Sequence, residues 1–562
     1  MNIEVLDLVV IVAFLILSIG IGLWFSRKSG ENSESFFLAG RSLTWPLIGA
    51  SMFATNISAQ QFVGQGGLAF SVGIGASIWQ LLGVVGIFLL GMLYLPRFLH
   101  MRLYTLPQFL EDRYGRSVRV FMSGYSIILI LTTALCGSLY AGALVIQKLA
   151  GVDSMFSFYL FMVILGATTT FYTYFGGLKA VVVTDFIQNI VLILGGLLTL
   201  GFGLHAASKT PDGLAGLWAM KEVLPTGEVF SKWSMYRPAG HSEIPTLGII
   251  LGGILMAQGV HCFSHEYVQR GLGAKNIYHA QMGSLLGCCF KVLAVFIIGA
   301  PGVIAAYLLA GQGVMPDQSF VALVIKVLPP GLTGLVLVGL IAAIMSTIDS
   351  DLCACSSLYT VDFYVHKHPD ASEKKMVWVG RLFMLGLIIF ALLWTPLITS
   401  FKHLFQYIQA MTGFIIPPIV VVYIAGLYYP RSNNPAALAT LIFGIIAGMA
   451  SFIISNLQKF AEGTFSNVSW LRDGLMAAHH SLPGWLTGLH YLYYCFALVI
   501  LCSVVMIVVS HVTPPPPPEC RDAVKLHDHG AFKVKTAHSR GKIAIMIGVL
   551  VIITAITLWV FR

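Results

Sequence analysis

Fourteen separate stretches of this chain are apolar over a length that crosses a bilayer, and that repetition restricts the fold more than any single motif. They lie near residues 5–25, 44–68, 74–96, 120–147, 156–175, 180–205, 245–265, 281–309, 331–364, 377–398, 404–428, 435–456, 488–510 and 543–561. About 20 apolar residues span the hydrocarbon core as a helix. No water is present there to satisfy the backbone, so each span must pair its own amides. The expected class is therefore an all-α polytopic membrane protein with about 14 transmembrane helices. Only 10% of residues are charged, against roughly 25% in soluble domains. The longest non-apolar stretches, residues 206–244, 457–487 and 511–541, hold no catalytic or nucleotide-binding module, and the chain is not read as an enzyme.

The first stretch carries Glu4 and Asp7 where a secretory signal would be basic, so it reads as a retained helix. Nine cysteines fall almost entirely inside apolar runs, without disulfide or zinc spacing, and read as small buried hydrophobes. A net charge of +9 suggests nucleic acid only in a soluble chain. Here about two thirds of the 33 lysines and arginines fall on one of the two alternating sets of loops. The positive-inside rule makes that set cytoplasmic and puts both termini outside. Pro514–Pro518 reads as a stiff extended spacer.

Polar residues interrupt two spans. Residues 50–66 place Ser51, Thr55, Asn56, Ser58, Gln60 and Gln61 at mid-membrane, with glycines at 64 and 66; residues 252–266 do the same with Gly252, Gly253, Gln258, Gly259 and His261. Buried polar groups in lipid need partners, and glycine weakens a helix. The interrupted spans are the second and seventh, five helices apart. Five is odd, so two such units have opposite orientation, which is the inverted-repeat plan of secondary transporters with broken helices at the midplane. The expected units are residues 1–43 (first peripheral helix and cytoplasmic loop), 44–205 (first repeat), 206–244 (extracellular loop), 245–428 (inverted second repeat) and 429–562 (C-terminal peripheral helices with the Pro-rich cytoplasmic loop).

Unwound backbone offers carbonyl oxygens to a hard cation. The ninth span adds hydroxyls: Ala343, Ser346, Thr347 and Ser350 recur at i, i+3, i+4 and i+7, on one helical face. The same spacing also suits close helix packing. Asp351 lies near that face, and Asp349 lies opposite, where it reads as a helix-end residue. Lys291 is the one basic residue inside a span; such a charge lines an interior path or pairs with an acid.

These residues sit within longer motifs: FFLAGRSLTWPLIGASMFATNISAQQFVG (36–64), YTLPQFLEDRYG (104–115), YFGGLKAVVVTDFIQ (174–188), AAIMSTIDS with YTVDFY (342–364) and FQYIQAMTGFIIPPI (405–419). In them the chain resembles the solute:sodium symporter family, which includes the sodium/glucose cotransporters. That resemblance implies a LeuT-type 5+5 inverted-repeat core and sodium-driven alternating access. It assigns a sodium site to the carbonyls of Ala54, Ile57 and Ala343 and the hydroxyls of Ser346 and Thr347. It assigns solute contacts to Asn56, Gln61, Gln80, Gln258, Lys291 and Gln409, and an outer gate to Trp79 and Phe405. Asp185 matches an acidic residue of the cation path, to which Asp351 is added as a neighbour; a helix-end charge is the competing reading of Asp185.

Sugar transporters of the family carry a glutamate where this chain has Gln80. A sugar, polyol or sugar-like solute leads, with an organic acid or amino acid as the alternative, and proton coupling through Asp185 or His261 as the rival to sodium. No filter-like carbonyl motif favours a channel. The expected partners are a small solute, co-transported Na+ and the lipid bilayer, and the address is the plasma membrane, as a bacterial inner-membrane protein.

Overall fold

The computed structural model describes residues 37–57, 60–152, 154–224, 227–398, 404–459, 469–518, 520 and 537–562, together with residues 6, 7, 9, 10, 12–14, 16, 17 and 20. Helices dominate. Those used below are, in chain order, α1 (Trp45–Asn56), α2 (Gly66–Val72), α3 (Ile74–His100), α4 (Arg116–Gln147), α5 (Met155–Ser208), α6 (Thr246–Cys262), α7 (His265–Leu272), α8 (Ile277–Leu308), α9 (Leu332–Lys367), α10 (Glu373–Ile398), α11 (Leu404–Tyr428), α12 (Asn434–Lys459), α13 (Tyr491–Val512) and α14 (Ala537–Val560). Among the described residues ten helices are long and apolar enough to cross a membrane, or eleven when bent α6–α7 is one crossing. The remaining expected crossings are the α1–α2 pair, the first limb of α5, and the first span, which falls largely outside the described residues.

The fifth and sixth expected spans form one run of helical backbone, α5, of 54 residues. Straight, it would reach about 81 Å, far beyond one bilayer. Instead it doubles back. A Cβ added at Gly142 would meet both Leu165 and Ile344, while Asp185 hydrogen-bonds Ser346. Leu165 and Asp185 thus sit at one level of α9, twenty residues apart in sequence.

Helix α1 lies against α5, α8 and α9, and α5 packs along α9. Helices α11, α12 and α13 form a peripheral group, and α14 runs along α8. Glycines set the closest approaches: a Cβ at Gly252 would lie 1.9 Å from the Leu492 carbonyl oxygen, and one at Gly259 2.0 Å from Ile416. Small residues at crossing points are how membrane helices pack without a hydrophobic force between them.

Between α5 and α6, the loop forms a short helix (Gly213–Trp218) and an antiparallel hairpin of β1 (Lys221–Val223) with β2 (Val229–Ser231). Trp233 of this loop stacks on Phe561, and the Met235 amide donates to the Phe561 carbonyl at 2.8 Å. At the other terminus, the Asp7 carboxylate accepts from the amides of Gly331 (2.7 Å) and Gly334 (2.6 Å) at the start of α9. Those amides have no helical partner of their own. The segment leading into α9 meets α8 where Lys326 donates to the Leu308 carbonyl, and Tyr307 bonds Thr210 of the hairpin loop. Asp7 and Phe561 therefore lie on the face that carries the hairpin loop.

Candidate functional site

Helix α1 begins behind Thr44 with Pro46 in its first turn and stops at Asn56; Ile57 is already extended (φ −85°, ψ 93°). The Thr55 hydroxyl donates to the Ser51 carbonyl at 2.7 Å, one of the local bonds by which Ser, Thr and Asn compete with helical pairing. The chain resumes as a π-helical turn, Gln60–Gln65, and continues into α2. A helix end leaves its last four carbonyls without intrahelical partners. Ala54 belongs to that turn and Ile57 follows it; both are buried.

The second break lies at Phe263 (φ −124°, ψ 14°) and Ser264 (φ −95°, ψ 132°), with a 50° bend between α6 and α7. It falls within residues 252–266, just past the polar residues that mark that stretch. Gly252, Gly253, Gln258, Gly259 and His261 all remain helical, because the glycines there admit α13 and α11 at close range.

Helix α9 brings its hydroxyl face to α1 through a carboxylate. Asp185 accepts from Ser346 Oγ at 2.5 Å and from Ser51 Oγ at 2.6 Å. Asp185, Ser51 and Ser346 are fully buried, and Asp185 lies in the interior of α5, away from its ends. Arg270 of α7 donates to Ser51 at 3.4 Å and to Ser350, and Asn189 donates to the Ala50 carbonyl. Both broken spans, α5 and α9 thus share one polar cluster.

The candidate sodium ligands flank that cluster. Phe37, before α1, sits with Ser356 and Thr360 beside Gly380, while Ser51 is level with Ser346, so α1 and α9 run antiparallel. Ala54 and Ile57, one and two turns beyond Ser51, therefore lie toward the same side as Ala343, one turn before Ser346. The Thr347 hydroxyl donates to the Ala343 carbonyl at 3.2 Å. Asp351 is buried on α9, near Glu266 and Arg270 of α7. Asp349 is also buried mid-helix, where it accepts from Ser350 at 3.3 Å, and does not stand at a helix end.

A second cluster joins α3, α8 and the π-turn. Lys291 Nζ donates to Gln80 Oε1 at 3.0 Å; Gln80 Nε2 donates to Gln65 Oε1 at 2.5 Å and to Gln61 Oε1 at 3.3 Å. Gln65 in turn donates to the Ala76 carbonyl at 2.8 Å. Gln65 is a member that sequence reasoning missed, although its i+4 spacing from Gln61 puts both on one face. His261 of α6 borders the same place: a Cβ at Gly83 would lie 3.1 Å from Lys291 Cε and 3.4 Å from His261 Nε2.

Other expected contacts stand apart. Gln258 donates to Tyr94 Oη at 2.6 Å and does not join the glutamine–lysine chain. Gln409 is half-buried on α11, which packs against the Gln60–Gln65 turn. Trp79 stacks on Tyr491 with centroids 6.5 Å apart, so α13 also reaches the start of α3. The side chains of Asn56 and Phe405 lie outside the described residues.

Residues 36–444 match the family described as SSF, Sodium:solute symporter family. Sodium/glucose cotransporter 1 of Ovis aries is 31% identical over 536 residues, 90% of this chain and 78% of that protein. Sodium/glucose cotransporter 4 of Danio rerio is 32% identical, with 91% and 78% covered. Sodium/myo-inositol cotransporter 2 of Rattus norvegicus is 30% identical, with 81% and 71% covered. A solved Na+-coupled sialic acid symporter, substrate-bound and outward-open, superposes with a TM-score of 0.74 at 18% identity, covering 92% of this chain and 99% of that one.

Proposed function

Because the chain belongs to the sodium:solute symporter family, we propose that it is a multi-pass plasma-membrane symporter that imports a small polyhydroxylated solute with Na+ by alternating access. The observation that carries this reading is the Ser51–Asp185–Ser346 link, which ties broken α1 to the hydroxyl face of α9. Sodium takes the carbonyls of Ala54, Ile57 and Ala343 and the hydroxyls of Ser346 and Thr347, with Asp185 as the nearest negative charge and Asp351 further along the same path. Solute meets Gln61, Gln80 and Lys291, with Asn56 and Gln409 at its edges and Trp79 and Phe405 closing the outer side. Gln258 contributes from α6 only if it leaves Tyr94.

The relatives' names point to sugars and inositol, which suits a site built from amides that donate and accept at once. Both repeats, residues 44–205 and 245–428, contribute one broken helix to the site, and residues 429–562 act as scaffold. The lysine and arginine excess puts the termini outside, in a bacterial inner membrane.

Coupling requires that sodium bind the solute-competent conformation better than the other. A tenfold gradient supplies about 1.4 kcal/mol and 100 mV about 2.3 kcal/mol per charge, enough for several-hundred-fold accumulation. Proteoliposomes under an imposed sodium or proton gradient test the reading. Uptake of labelled sugars and polyols is expected only with sodium; uptake driven by protons alone contradicts it.

A further inference from the structure

Lys291 is 1% exposed in the middle of α8, and its ammonium donates to one neutral oxygen, Gln80 Oε1. Among the described residues no carboxylate pairs with it: every ion pair there involves other residues. An ammonium buried without an anion is costly in protein or lipid. Next to it stands a second unmet group. His261 is buried, and its Nδ1 lies 2.9 Å from the Ala257 carbonyl, which assigns the ring proton to Nδ1. That leaves Nε2 as a bare acceptor, and it has no hydrogen-bond partner. Both groups converge on Gly83 of α3, where a Cβ would lie 3.1 Å from Lys291 Cε and 3.4 Å from His261 Nε2. Gln80, three residues earlier on the same helix, shares its amide with Gln61 and Gln65.

Taken together these groups ask for a ligand with an anionic end and hydroxyls beside it. Resting on the symporter reading above, we propose that the solute is a polyhydroxylated carboxylate, such as a sugar acid. Its carboxylate takes the Lys291 ammonium in place of the Gln80 carbonyl. One of its hydroxyls donates to His261 Nε2, and the glutamine amides serve the others. A simple apolar carboxylate leaves the imidazole and amides unmet, and a neutral sugar leaves the ammonium unmet; an unpaired buried group is what makes a polar site reject the wrong ligand.

The test uses the full-length protein in proteoliposomes with an inward sodium gradient, comparing labelled glucuronate, glucose, sorbitol and butyrate. Glucuronate uptake is expected to exceed that of glucose by at least about tenfold, a difference of about 1.4 kcal/mol, with butyrate untransported. Gln80→Glu places a carboxylate beside Lys291 and is expected to reverse the preference toward glucose; Lys291→Met is expected to abolish glucuronate selectivity. Sodium-driven uptake of glucose or sorbitol equal to or above glucuronate overturns the proposal while leaving the symporter reading intact. An unchanged preference in Gln80→Glu overturns it as well. If no solute in the panel responds to sodium but one responds to a proton gradient, the sodium-symporter reading fails and this inference with it.

Discussion

Ser346 donates its hydroxyl to the Asp185 carboxylate over 2.5 Å, joining α9 to the second limb of α5 at a fully buried point. The other carboxylate oxygen serves Ser51 at 2.6 Å. This one side chain therefore registers the broken helix α1 against the face that carries Ala343, Ser346 and Thr347. Replacing it by Asp185→Asn keeps the size and removes the charge. A hydrogen bond to a charged group is worth about 1.5–3 kcal/mol, so the half-saturating sodium concentration for uptake is expected to rise roughly 10- to 100-fold. Unchanged sodium dependence in flux assays argues that the carboxylate is structural only.

Helix α6 is held to α13 through Gly252, where a Cβ would come 1.9 Å from the Leu492 carbonyl oxygen. Backbone cannot yield as a side chain does, and overpacking costs about 1–3 kcal/mol. Gly252→Ala is expected to lower the thermal unfolding midpoint in detergent, whereas Gly386→Ala, with nothing within 4 Å, should leave it unchanged or slightly raised.

Asp7 caps α9 by accepting from the amides of Gly331 and Gly334. Loss of such a cap costs about 0.5–2 kcal/mol, and the negative charge also suits the positive end of the helix. Asp7→Ala is expected to speed amide exchange at residues 331–335 in hydrogen-exchange mass spectrometry. Equal protection in both proteins would show that the contact contributes nothing.

On the face opposite the hairpin loop, Arg119 pairs with buried Asp362 at 2.6 Å and with Glu111, and Ser123 and Thr105 donate to the same aspartate. Removing one partner strands a buried charge, at a cost of about 3–5 kcal/mol. Arg119→Met should sharply reduce the folded yield, and the double variant Arg119→Met/Asp362→Asn should recover part of it. A double variant no better than the single one refutes the pairing.

The loop between α5 and α6 carries a pH-sensitive tie. Burial alone would raise the Glu222 carboxyl, but its bonds to His241 and Arg237 outweigh that and hold it below the usual 4.5. A depressed carboxylate contributes stability above its unfolded pKa and loses it as pH falls through the folded value. Limited proteolysis of residues 221–243 is expected to accelerate below about pH 4, and Glu222→Gln to flatten that dependence. Cleavage that does not vary with pH contradicts it.

Much of this arrangement was legible in the chain. The spans follow from apolar length alone, because lipid leaves the backbone no alternative to helix, and the i, i+3, i+4 spacing at Ala343, Ser346 and Thr347 places them on one face whatever packs there. Ser51, Thr55 and Asn56 mark the first break, since residues of these types compete for backbone bonds, as Thr55 does here. The second break falls at the end of its expected stretch: Gly252 and Gly259 read as helix weakeners, yet they are contact points for Leu492 and Ile416, a distinction that depends on what lies opposite. The link from Asp185 to Ser51 crosses 134 residues of sequence, and the Gln80–Gln65 bond depends on how the π-turn is wound. Neither is a local property.

The proposed sodium site, where α1 breaks against α9, is tested by the sodium concentration that half-saturates solute uptake by Thr347→Ala in proteoliposomes, measured beside the unaltered protein. The account predicts a rise of at least about tenfold, with uptake recovering when sodium is raised. An unchanged half-saturation value would contradict it.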